Sequence, residues 1–86
     1  MRLKDGFVFR EVAGETVVIP SWDGLDLDRM ILLNETGLFL WKQLEQETDE
    51  EGLLRALLSE YDVEETVAKQ HVAAFLHRLK EHDFLV

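Results

Sequence analysis

LNETGLFLWKQL, Leu33 to Leu44, follows a short apolar strand expected over Arg29 to Leu32 and opens a helix with almost no loop between them. Strand and helix must therefore pack closely. Asn34 suits the helix N-cap, because its side-chain oxygen can accept from an otherwise orphaned amide, and Gly37 lets the first turn approach a neighbour closely. Gly37, Leu40, Trp41 and Leu44 then recur at the i, i+3, i+4, i+7 spacing of a buried stripe, which Leu38 and Phe39 widen. Apolar on nearly every side from Leu38 to Trp41, this helix, running to about Gln46, is expected to be central to the core.

Upstream, Phe7 to Val12 and Glu15 to Ile19 are rich in β-branched and aromatic residues and are separated only by Ala13 and Gly14, the pattern of a β-hairpin ended by Pro20. The polar stretch SWDGLDLD, Ser21 to Asp28, reads as a loop carrying Trp22, Leu25 and Leu27 as inward plugs. Downstream, Thr48 with Glu51 has capping-box spacing for a second helix with Leu53, Leu54, Leu57, Leu58 and Tyr61 on its buried side. Asp62 with Glu65 repeats that spacing for a third helix, whose apolar positions are Val67, Ala68, Val72, Phe75, Leu76 and Leu79. Phe84 to Val86 are expected to fold back over its end. The elements add up to one α+β domain over residues 1–86, a three-stranded antiparallel sheet followed by three helices.

A chain of 86 residues buries only about 60–65% of its unfolded surface, so most apolar side chains are committed to the core and little remains for a deep catalytic cavity. It has no cysteine, which excludes thiolate chemistry and fits a reducing compartment. No apolar run approaches the roughly 20 residues of a membrane span and no basic-then-apolar signal opens the chain, so a cytoplasmic location without membrane contact is expected. The formal charge of −9 opposes the counterion release that drives non-specific DNA affinity, so no nucleic-acid partner is expected. The acidity concentrates between Glu45 and Glu65, where Arg55 is the single base, and reads first as a solvated helix face.

Catalytic and metal readings find little support. His71 and His77 lie about 120° apart on the third helix and His82 roughly 16 Å along the axis from His71, so the three cannot converge alone. No carboxylate pair, nucleophile elbow or glycine-rich phosphate loop is present, and neither enzymatic activity nor a cofactor is expected. A binding surface remains. The third strand is a candidate sheet edge whose unpaired backbone can template an extended peptide, and the third helix could turn that edge into a groove. One margin of that helix carries Lys69, Ala73, Leu76 and Lys80, which suits an acidic-apolar peptide. The opposite margin carries Val67, His71, Ala74 and Arg78, and the pattern leaves open which margin faces the strand. A winged-helix DNA-binding regulator and a homo-oligomeric module pairing third strand to third strand are the competing readings. The first is disfavoured by charge; the second would make a homodimer.

The run DRMILLNETGLFLWKQL, the segment LLRALLSEYDVEE and the closing HVAAFLHRLKEHDFLV together resemble the PqqD-like family, named for coenzyme PQQ synthesis protein D. The likeness covers nearly the whole chain and is strongest in LNETG with FLW, in YDV, and in V-x-x-FL-x-x-L. Members usually end in a Gly-Leu pair, where this chain has Asp83 and Phe84, so a differently closed last turn is expected. The resemblance implies a winged-helix-like domain that recognises ribosomally made, post-translationally modified peptides. Such a domain binds the leader of a precursor peptide and presents the core to a modifying enzyme, often a radical-SAM protein. The leader adds as a strand to the third strand and lies against the last helix. Carried over by position, the strand contacts fall on Asp28, Arg29, Met30, Ile31, Leu32 and Leu33. The helix contacts fall on Lys69, Ala73, Leu76, Arg78 and Lys80.

Overall fold

Ala13 and Gly14 both take left-handed backbone, φ 52° and 83°, the geometry a two-residue type I′ turn needs to follow the twist of its strands. They join β1 (Phe7–Val12) to β2 (Glu15–Pro20) in an antiparallel hairpin running from Val12 opposite Glu15 to Phe7 opposite Pro20. The structure is a computed structural model describing residues 1–22 and 24–86; Asp23, within the expected Ser21 to Asp28 loop, lies outside the described residues. β3 (Ile31–Leu33) pairs antiparallel with β2, giving the order β1-β2-β3.

The third strand begins two residues later than Arg29. Asp26 accepts from the Asp28 amide and caps a 3-10 turn over Leu27–Arg29, so a local side-chain bond competes successfully with extended backbone there. Leu25 and Leu27 are each 61% exposed and do not plug the core, whereas Trp22 packs against it. Pro20 extends β2 by one residue at no cost in hydrogen bonds, because its missing donor would point away from β1, beyond the reach of β3.

Helix α1 spans Glu35–Gln43. Its N-cap is Asn34, whose Oδ1 accepts from the Gly37 amide at 2.8 Å, and a side chain at Gly37 would crowd that oxygen at 3.2 Å and Leu33 at 3.4 Å. The helix stops short of Gln46 because the Glu45 and Gln46 amides turn back to carbonyls three residues earlier. Helix α2 (Glu50–Glu60) is capped by Asp49, not by a Thr48–Glu51 box. The Thr48 amide donates instead to Met1 O, and Glu51 is drawn along the helix to Arg55 at 3.1 Å. Helix α3 (Glu65–Glu81) starts with Glu64 at the cap and no side-chain bond, so Asp62 does not act as its cap. A tight turn at Tyr61–Val63 displaces it from that position.

The core brings Val18, Ile31 and Leu33 of the sheet against Leu40, Trp41 and Leu44, with Leu53 and Leu57 of α2 and the Ala68–Leu79 stripe of α3 closing it. Val67 is 39% exposed and lies outside that stripe. The closing segment folds back as expected, with Phe84 fully buried and the Lys4 amide donating to its carbonyl at 2.9 Å. Its turn is not irregular. Asp83 adopts φ 59°, the Phe84 amide donates to Leu79 O at 3.0 Å and the Asp83 amide to Lys80 O at 3.1 Å, a Schellman closure in which Asp83 takes the place a glycine usually fills.

Candidate functional site

The hydrogen-bonding sense of each strand residue follows from one bond. The Ser21 amide donates to Gly6 O at 2.8 Å, which makes Gly6 and Ser21 a bonded pair beyond the end of the hairpin. Bonded and non-bonded pairs alternate in an antiparallel ladder, so Glu15, Val17 and Ile19 turn their backbone groups toward β1, and Thr16 and Val18 turn theirs toward β3. On β3 the partners Leu33 and Ile31 are then spent on β2, while Leu32, opposite Val17, aims both its N–H and its C=O away from the sheet. The neighbouring Met30 C=O and Asn34 N–H face the same way, with both residues in extended backbone. The open edge is therefore one full rung at Leu32 flanked by half a rung on each side.

Beside this edge runs a groove of about 640 Å³ between β3 and α3. Leu32, Leu33, Asn34, Thr36 and Gly37 line one side and Gln70, His71, Ala74, Phe75 and Arg78 the other, over a floor that includes Leu40. Ile31 and Leu33 are buried and support the wall from within, whereas Leu32 is 48% exposed. Arg78 closes one end: its Nη2 donates to Leu32 O at 3.0 Å, so a side chain satisfies the outward carbonyl that no strand reaches.

The margin of α3 that sequence pattern left open is settled by this geometry. His71, Ala74 and Arg78 face β3. Lys69 and Ala73 instead border a smaller depression against α2, with Glu50, Glu51 and Leu54, and Lys69 pairs with Glu65 at 3.3 Å. Leu76 is sealed in the core, and Lys80 is exposed but lines neither depression. Of the strand candidates, Met30, Leu32 and Leu33 belong to the edge or the groove and Ile31 lies behind it. Asp28 and Arg29 sit in the 3-10 turn. Arg29 faces the other way, with its guanidinium 5.3 Å from the Trp22 ring centre and 5.7 Å from that of Phe84, and it donates to His82 O. Gln70, Thr36 and Glu15 were not singled out by pattern. They are polar residues brought to the groove by chain packing, and only the i, i+4 spacing of Ala74 and Arg78 hinted at this face.

The three histidines diverge, His71 into the groove, His77 onto Glu81 at 2.7 Å, and His82 against the Phe84 ring at 5.2 Å. Among the described residues no helix is long and apolar enough to cross a membrane.

Hairpin, short edge strand, three helices and a groove between the last strand and the last helix define an α+β domain of winged-helix-like build with an open third strand. The chain belongs to the PqqD family: residues 24–85 match the family described as coenzyme PQQ synthesis protein D. It is similar to the solved structure of TbiB1 in complex with the TbiA(beta) leader peptide, with 24% identity, a TM-score of 0.74, and coverage of 99% of this chain and 94% of that one. It is also similar to lasso peptide synthetase B1 complexed with the leader peptide, at 25% identity and TM-score 0.70, covering 96% of this chain and 93% of that one. No curated protein matches the chain.

Proposed function

We propose that this chain is a non-catalytic adaptor that binds the leader segment of a ribosomally made precursor peptide and presents the peptide to a modifying enzyme. The leader adds as a fourth strand to β3, takes its main-chain bonds from Leu32, and sets alternate side chains into the groove against α3. The observation that carries this reading is the outward rung at Leu32 standing directly beside that groove. Membership of the PqqD family and likeness to two proteins solved with leader peptides support it. Main-chain pairing would supply a sequence-tolerant share of the affinity, and the groove would supply selection.

The test uses a displayed library of random dodecamers selected against the folded protein. Enriched peptides should slow hydrogen exchange at the Leu32 amide and should lose binding to Leu32→Pro. Enriched peptides that leave the Leu32 amide unprotected, or a library from which nothing enriches, would overturn the reading.

A further inference from the structure

Resting on the adaptor reading above, we propose that Arg78 is a specificity residue: in the free protein it fills in for a missing strand at Leu32, and when a leader arrives it turns to a carboxylate on that leader. Three observations converge on this. First, Arg78 holds a formal charge against a neutral acceptor, Leu32 O at 3.0 Å, and among the described residues it forms no ion pair. Arg2, Arg10, Lys42 and Lys80 also form no ion pair among the described residues, but none of them lines the groove. Second, the atom it occupies is the one an incoming strand must use, because an N–H of the leader bonds to Leu32 O in the first rung formed. Third, Arg78 is the only permanent cation among the groove residues; the others that ionise are Glu15 and His71.

The register can be taken further. A leader residue directly across from Leu32 points its side chain to the outer face of the sheet, as Leu32 does, so the residues before and after it point inward toward α3. Those two are about 6.6 Å apart along a strand, close to the roughly 6 Å that separates Ala74 from Arg78 along the helix. The helix runs so that His82 meets Arg29 and Arg78 meets Leu32, while His71 lies with the Asn34 and Thr36 end of the groove. The inward leader residue across from Leu33 therefore sits over Ala74, Leu40 and Phe75 and is apolar. The one across from Ile31 meets Arg78 and is Asp or Glu. The groove thus reads an acidic and an apolar residue spaced two apart, with the intervening side chain left free. A charge-assisted bond to a carboxylate is stronger than the bond to a neutral carbonyl that it replaces, so Arg78 gains by the exchange.

The same dodecamer library tests this by selection in parallel on wild type, Arg78→Gln and Arg78→Glu, each first checked for native circular dichroism. Peptides from the wild type should be enriched in Asp or Glu two positions from an apolar residue. Their affinity should fall about tenfold or more on Arg78→Glu, and Lys in place of the acid should restore binding to that variant. Arg78→Gln should erase the acidic enrichment while leaving main-chain pairing, and so Leu32 amide protection, in place. Peptides that protect Leu32 but show no acidic enrichment, or that bind Arg78→Glu as tightly as wild type, overturn the role of Arg78 and leave the adaptor reading standing. If no peptide protects Leu32 in any of the three selections, both fall together.

Discussion

Two regions flanking the sheet are built in opposite ways. Around Phe7 the molecule is closed by aromatic rings set edge to face: Trp41 at 4.7 Å, Phe84 at 4.9 Å and Trp22 at 5.1 Å between ring centres. Arg29 and Lys4 lie over the Trp22 ring, and Lys4 also reaches Asp83 at 2.9 Å. Along β3 the closure is a single guanidinium on one carbonyl, over a groove walled by Ala74 and Gly37. At the aromatic corner the rings pack on one another within the chain. The groove leaves backbone and apolar surface for another chain to satisfy.

Substitutions that break the corner should cost most. Phe84→Ala removes a fully buried ring from the centre of the aromatic contacts and should lose about 3–5 kcal/mol. At about 4–8 °C per kcal/mol for a domain of this size, thermal denaturation will read this as a fall of tens of degrees or as failure to fold. Next comes a pair on β3 itself. Ile31→Pro removes an amide aimed at β2 and should cost about 1–3 kcal/mol by orphaning a buried acceptor. Leu32→Pro removes an amide aimed outward and should change stability by less than about 1 kcal/mol while abolishing peptide binding. Urea titrations beside binding isotherms will show whether stability and recognition separate at adjacent residues.

A smaller gain is expected at the hairpin turn. Ala13 sits at φ 52°, a conformation that asparagine tolerates better, so Ala13→Asn should raise stability by about 1 kcal/mol without touching the groove. The smallest effect concerns acid. The hydrogen bond from Lys4, with its charge, holds the Asp83 carboxyl below the usual carboxylate range. A carboxyl whose folded value is depressed stabilises the protein above its unfolded pKa, about 3.9, and loses that contribution as pH falls through the folded value. Wild type and Asp83→Asn should therefore differ slightly in denaturation midpoint at neutral pH, and the difference should begin to shrink only as pH falls below about 4.

Much of this contrast was legible in the chain. The Asn34 cap, the Ala13-Gly14 hairpin and the central α1 each rest on local chemistry, in which neighbours along the sequence decide the geometry. The misread starts share a different cause. Thr48 and Asp62 had the right spacing for capping boxes, but the Thr48 amide is claimed by Met1 O and Asp62 is displaced by the Tyr61–Val63 turn. The 3-10 turn before β3 likewise depends on whether Asp26 folds onto its own backbone. At the groove, the wheel of α3 gave two margins of similar character. Only the packing of α2 against one of them, with Lys69 and Ala73, assigns His71, Ala74 and Arg78 to the strand. Arg29 and Arg78 look alike in sequence, yet one braces the aromatic corner and the other guards the edge.

The central claim is that Leu32 is a rung no strand pairs, its amide free and its carbonyl held only by Arg78. Amide hydrogen exchange resolved to single residues, with and without a library-selected dodecamer, measures it directly. The account predicts fast exchange at Leu32 beside slow exchange at Ile31 and Leu33 in the free protein, and strong slowing at Leu32 when the peptide binds. Slow exchange at Leu32 in the free protein, or no change there on saturation, would contradict it.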